Sequence, residues 1–249
     1  MGRTGASSLT ASAGAASDGG VDEPNDVLAE RDDGVAVLTL NRPARRNALT
    51  EESVQALTGA VTAALADPDV GALLLRGAGH CFCSGIDLGA ADFADPGWSA
   101  RFHGAWRTLH RTIAAADKPV VAALERAAVN AGAALALSAD LLVAGRTAFL
   151  QIAEVERDMV ARINLAWLVA RYGSARALDL TLTARRVPGD ELHRLGIAYA
   201  SVADDAVGAE ARDLAKRLAG FPRTGVAETK RLVRALAAVE PGALLDGDA

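Results

Sequence analysis

Two short stretches place backbone amides where a ligand can reach them. FCSGIDL (82–88) follows an apolar run of buried-strand type, and VNAGAAL (129–135) opens an apolar helix. The first N–H groups of a helix have no partner inside it, and its dipole favours negative charge there. Two such donors aimed at one point can hold a carbonyl oxygen that becomes negative in a transition state, which is oxyanion-hole chemistry. Neither stretch is a phosphate fingerprint, since G-x-G-x-x-G and G-x-x-x-x-G-K-S/T are both absent. Taken singly, each also reads as a plain turn or a tightly packed helix start.

The other reactive side chains form no frame of their own. Cys81 and Cys83 stand as a C-x-C pair, short of the four ligands of a structural zinc site and poorly spaced for a disulfide, so reduced thiols and no metal are expected. His103 and His110 share a helix at a spacing of seven without a motif partner, and His80 is expected at the surface. Ser84 and Ser138 have no histidine and acid arranged around them as a triad would need. Asp87 and Asp140 suit hydrogen bonding to loop backbone.

Strand and helix signals alternate along the chain and supply the elements that must position these loops. GVAVLTLNRP (34–43) reads as a strand ended by proline. A helix over 50–68 has Thr50 as N-cap, Glu51 and Glu52 at its positive end, and an apolar stripe of Val54, Leu57, Val61 and Leu65. Buried strands are expected at 70–77, 118–124 and 140–145, with an extended piece at 147–152 and a short strand at 200–204. Helices are expected after Pro96-Gly97, from Asn130, over 163–173, 175–184 and 190–196, and twice more before Ala238. The pattern is α/β. Residues 1–30 read as a flexible tail. Residues 31–249 read as a single domain, with a core to about 199 and a helical part at 200–240.

Composition sets the bounds. The chain has 249 residues, 51% hydrophobic and 23% charged, enough for a sizeable core. A net charge of −5 argues against nucleic-acid or anionic-membrane partners. No apolar run reaches the ~18 residues of a membrane span, and the N-terminus lacks the apolar region of a secretory signal. A cytoplasmic location is expected.

Five motifs then occur in fixed order: LNRPARRNALT (40–50), LLLRGAGHCFCSGIDL (73–88), DKPVVAAL (117–124), ALALSADLLVAGRTAF (134–149) and LTLTARRVPGDELHRLGIA (180–198). The set resembles the crotonase superfamily of enoyl-CoA hydratases and isomerases over roughly residues 34–238. The resemblance implies a ClpP-like spiral of ββα units with C-terminal helices, the last of them shortened, and a homo-oligomer, trimer or hexamer. It implies an acyl-CoA thioester as substrate or ligand and no permanently bound cofactor. Its thioester oxygen would sit between the N–H groups of Ile86 and Ala131. Gly85 and Gly132 would allow close backbone approach. Arg45, Ala48, Ser84, Asp87 and Leu88 match the coenzyme A contacts, although Arg45 and Arg46 also read as a solvated basic turn.

The resemblance breaks where the acid–base chemistry belongs. A hydratase of this family uses two glutamates, one to activate water and one to deliver a proton. The first would fall at Ala134. The second, in a segment usually written FGQPE and here FLQIA, would fall at Ala153. One positioned acid or base contributes roughly 10²–10⁴-fold, more than a remaining oxyanion donor restores, so ordinary hydration is not expected. QIAEVERDMVAR (151–162) offers substitutes. Glu154 pointing inward would act as the single base of an isomerase-like proton shuttle. Arg157 or Arg162 pointing inward would hold a substrate carboxylate, as in a decarboxylase. The same loop reads equally as charge facing water or a neighbouring subunit. An altered reaction or weak hydration is expected, and the alternative is a non-catalytic acyl-CoA carrier.

Overall fold

The structure is a computed structural model that describes residues 7–8, 25–92 and 94–237. Its elements in chain order begin with β1 (Ser7–Ser8), β2 (Val27–Asp32), β3 (Val35–Leu40), α1 (Glu51–Ala66), β4 (Ala72–Gly77) and α2 (Trp98–Ala114). Next come β5 (Val120–Leu124), β6 (Ala127–Val129), α3 (Ala131–Ser138), β7 (Leu141–Gly145), β8 (Phe149–Gln151) and α4 (Arg162–Leu182). The last are β9 (Val187–Pro188), α5 (Gly189–Arg194), β10 (Ala200–Val202), α6 (Val207–Ala219) and α7 (Arg223–Leu236). The larger sheet runs β1-β2-β3-β4-β5-β7-β10, antiparallel up to β3 and parallel beyond it. A smaller sheet of β6, β8 and β9 stands beside it.

Alternation along the strands sorts the core into two layers, because side chains one residue apart point to opposite faces. Leu73, Leu75, Ala122 and Leu124 face the layer built with α1, α2, α3 and α4. Leu74, Val121, Ala123 and Val143 face Val207, Ala211, Leu214 and Ala215 of α6 on the other side. The parallel strands are buried on both faces, which is why they read as continuous apolar runs.

The expected elements are present, with two differences. Strand β2 begins at Val27, inside the segment expected as tail, and pairs along its whole length with β3. The alternation of VLAERD is weak, because every side chain of the strand stays partly in water. Most of the remaining tail, and residues 238–249, lie outside the described residues. The two helices expected at 163–173 and 175–184 are present within α4, separated by a kink at Gly173, whose backbone is non-helical with φ 79°. Strands β6 and β9 were not expected, since three and two residues are too few for a period to show.

Candidate functional site

The site forms where three segments lie side by side. Residues 83–87 run between the loop after β3 and strand β6. On one flank Leu49 N donates to Gly85 O (2.8 Å) and Asp87 N donates to Leu49 O (2.9 Å). On the other flank Cys83 N donates to Ala127 O (3.0 Å) and Val129 N donates to Cys83 O (3.0 Å). In a parallel bridge of this kind the middle residue turns its own amide away from the partner. The Ile86 N–H therefore faces away from Leu49, on the side where 127–131 lies. Among the described residues neither Ile86 N nor Ala131 N has an acceptor.

Helix α3 is unusual in that all eight residues are buried, so its unpaired end groups cannot rely on bulk water. Its C-terminal carbonyls are met by one guanidinium: Arg171 donates to Leu137 O (3.2 Å), Ser138 O (3.1 Å) and Ala139 O. Its N-terminus has no such cover. The N-cap residue Asn130 makes no side-chain cap, because its Oδ1 accepts instead from Ala153 N at 2.8 Å. The end that suits an anion is the end left open.

The two glycines allow close backbone packing between the segments. A β-carbon on Gly132 would lie 2.3 Å from Cys83 O, and one on Gly85, where φ is +103°, would lie 3.1 Å from Val129 O. Their missing side chains let the two amide-bearing segments pack on each other. Segment-to-segment contact fills the space at Gly132.

The basic loop after β3 is built rather than loosely solvated. Arg46 and Asn47 both take positive φ, and the buried Asn47 donates to Ala78 O (2.9 Å) and Cys81 O (2.6 Å) while accepting from Arg42 N (2.9 Å). Arg42 donates to Ala48 O (2.5 Å), and Arg42 and Arg45 both pair with Asp87, at 3.0 and 2.9 Å. Those partners, Arg45 first, hold the Asp87 carboxyl down at about 2 against the opposing effect of burial. Arg45 keeps 57% of its side chain exposed and Leu88 is exposed, whereas Ala48 is buried and Ser84 sits between. The Ser84 hydroxyl donates weakly to Arg45 O at 3.4 Å.

Ala134 is buried in α3, and Ala153 is half-buried before the 3-10 turn Glu154–Arg157. That turn separates its charges. Arg157, like Arg162 beyond it, is exposed, so neither reaches the interior. Glu154 is drawn in: its Oε1 accepts from Asn164 Nδ2 at 3.3 Å, and its Oε2 is buried with no partner among the described residues. Burial, ahead of the opposing turn amides and Arg157, raises its pKa above the ordinary glutamate value. Asn130, Asn164, Arg42 and Asn47 were not singled out in the sequence. The available signal for Asn164 was a lone amide inside the apolar run INLAWLV.

The remaining candidates stay apart from this place. His80 is exposed and pairs with Glu125 at 3.1 Å. His103 is exposed, while His110 is fully buried and accepts from Trp167 Nε1 at 2.9 Å. Both cysteines are free and buried, and desolvation pushes Cys83 up to about 12, which makes it inert. Ser138 donates to Leu135 O and Asp140 accepts from Val120 N. Among the described residues no group of side chains suits a metal ion, and no helix is long and apolar enough to cross a membrane. A large cavity of about 1080 Å³ lies between α4 and α7 at the other end of α3. It contains neither Ile86 nor Ala131, and its cations are already engaged: Arg171 with α3 and Lys230 with Asp140.

Two amides without acceptors on adjacent segments of a layered α/β fold are the kind of group that can hold an oxygen gaining negative charge. The sequence profile of the enoyl-CoA hydratase/isomerase family matches residues 30–244. The chain belongs to that family, the crotonase family, whose members process coenzyme A thioesters. It is 32% identical over 213 residues to the 1,2-epoxyphenylacetyl-CoA isomerase of Escherichia coli, covering 83% of this chain and 81% of that protein. It is 35% identical over 224 residues to a Mycobacterium tuberculosis protein named as a probable enoyl-CoA hydratase, covering 88% and 84%. Among solved structures, an enoyl-CoA hydratase from Mycobacterium avium subsp. paratuberculosis superposes with a TM-score of 0.80 at 28% identity, covering 90% of this chain and 91% of that one.

Proposed function

We propose that the protein binds an acyl-CoA with the thioester oxygen between Ile86 N–H and Ala131 N–H, and that it shifts a double bond or a proton rather than adding water. The observation that carries the ligand is the pair of amides without acceptors on adjacent segments. Ala134 and Ala153 stand in the slots of the two hydratase glutamates. Glu154, alone of the charged loop, turns into the protein, and it is the base in this reading. Its carboxylate takes a proton from the carbon beside the thioester. The C–H electron pair moves toward the carbonyl, whose oxygen becomes negative between the two N–H groups. The same proton then returns to the far allylic carbon, so the double bond moves and nothing is gained or lost. Arg45 and Ser84 flank the coenzyme A moiety, with Asp87 and Leu88 shaping that wall. The molecule is a homo-oligomer, trimer or hexamer, a reading supported by exposed apolar side chains at Met159, Val160, Leu232, Val233 and Leu236.

The test pairs binding with turnover. Calorimetry with a series of acyl-CoAs is expected to give micromolar affinity. Conversion of a 3-enoyl-CoA to its 2-enoyl isomer is expected to fall at least ~10²-fold in Glu154→Gln with binding kept. Ala134→Glu combined with Ala153→Glu is expected to gain crotonyl-CoA hydration. Robust hydration by the wild type would overturn the placement of the vacant acid slots, and absence of acyl-CoA binding would overturn the ligand. Binding without any turnover would favour the carrier reading.

A further inference from the structure

We infer that Asn164 positions both halves of this machinery, aiming the Ala131 N–H with one amide group while holding the Glu154 carboxyl with the same group. The inference rests on the acyl-CoA reading above and adds a residue to it.

Asn164 is 2% exposed, in the first turn of α4. Its Nδ2 lies 3.2 Å from Asn130 O and 3.3 Å from Glu154 Oε1. The first contact matters through peptide geometry. In a trans peptide the carbonyl of one residue and the N–H of the next point in opposite directions. The described chain contains no cis bonds, so whatever fixes Asn130 O aims the Ala131 N–H the other way. Among the described residues only one other donor reaches that oxygen, Ala134 N at 3.0 Å. Local preference does not hold the plane either, because Asn130 sits at φ 52°, ψ −108°, a region that non-glycine residues avoid. It is held from outside: by Asn164, by Gln151 O accepting from Asn130 N (2.8 Å), and by Ala153 N donating to Asn130 Oδ1 (2.8 Å).

The second contact reaches the base. Glu154 Oε1 has Asn164 as its side-chain donor, and Glu154 Oε2 and Asn164 Oδ1 are both buried without a donor among the described residues. A leucine would pack in this apolar stretch without leaving an unpaired oxygen, so an amide here costs stability unless it does something else. The charged group acting on Glu154 is Arg157, from the same turn, and α4 faces it with the uncharged Asn164. A donor on the ionised carboxyl favours that form, so losing Asn164 moves the Glu154 titration to higher pH.

The test uses the full chain with Asn164→Leu, which fills the volume, and Asn164→Ser, which keeps one donor and serves if the leucine variant does not fold. The probe is butyryl-CoA carrying carbon-13 at the thioester carbonyl. Bound to the wild type, its carbonyl resonance is expected downfield of the free value. In Asn164→Leu the ligand still binds, the downfield shift is lost, Glu154 followed by carbon-13 NMR titrates at higher pH, and isomerisation falls about 10²-fold, as for a misplaced reacting geometry. Asn164→Ser recovers part of each. If either the carbonyl shift or the Glu154 titration is unchanged in the folded variants, the dual role is overturned. If the wild type binds no acyl-CoA, the proposed function fails, while the Glu154 titration still decides whether Asn164 holds that carboxyl.

Discussion

Asp87 lies 4% exposed between the guanidinium groups of Arg42 and Arg45. Its pKa is lowered from 3.8 to about 2, so the folded state favours the ionised form. The stabilisation this brings is complete above pH 3.8 and is lost as pH falls through about 2. Asp87→Asn is therefore expected to lower Tm at neutral pH, with the gap to wild type closing over that interval in a series of thermal melts. His110 works in the opposite chemical sense with a similar outcome. Burial alone depresses it from 6.5 to about 3, so the unfolded chain binds a proton that the folded chain refuses. Stability falls as pH drops from 6.5 toward 3, and His110→Gln, which keeps an acceptor for Trp167 Nε1, is expected to flatten that slope. An unchanged slope would place the acid sensitivity elsewhere.

Elements set what those residues can reach. Helix α1 begins in a reciprocal cap, with Thr50 Oγ1 accepting from Ser53 N (3.1 Å) and Ser53 Oγ accepting from Thr50 N (2.8 Å). The acidic residue that usually closes such a box is replaced by a shorter hydroxyl. Thr50→Ala is expected to cost about 0.5–2 kcal/mol in chemical denaturation. Helix α3 is the more demanding element, since its first turn is packed against the Cys83 carbonyl. Gly132→Ala would put a methyl 2.3 Å from that oxygen, against backbone that has no slack. The substitution is expected to cost about 1–3 kcal/mol and to weaken acyl-CoA binding together with stability, because the two amide segments must part. Normal affinity in a folded Gly132→Ala protein would contradict the packing role.

At the scale of the whole molecule, α7 is amphipathic yet buries none of its residues, and Leu232, Val233 and Leu236 are exposed. It is tied to the body by polar contacts instead: Lys230 to Lys118 O and Asp140, Arg234 to Ala116 O and Asp117, and Arg223 to Pro68 O. An apolar face left in water favours a partner surface. Leu232→Asp with Leu236→Asp is expected to leave the fold intact, because neither side chain is in the core. The same pair is expected to reduce the mass seen by light scattering if this face joins subunits of the proposed oligomer.

The sequence by itself determined the layered α/β order, because continuous apolar runs such as VGALLLRG and KPVVAAL fit only strands buried on both faces. It also located the two amide-bearing loops, since a small-residue helix start and a glycine turn are local signals. It did not reveal strand β2, whose partly exposed side chains give a weak pattern, or β6 and β9, which are too short to show a period. Which member of QIAEVERDMVAR enters the protein was equally open. A one-residue difference in a loop reverses inward and outward, and only the 3-10 turn at Glu154–Arg157 decides it. The packing of Gly132 on Cys83 and the presence of Asn130 and Asn164 around one peptide plane were decided by tertiary structure alone. Those contacts join residues from separate segments, 34 positions apart for Asn130 and Asn164 and more for Gly132 and Cys83, and no local period encodes a contact at that range.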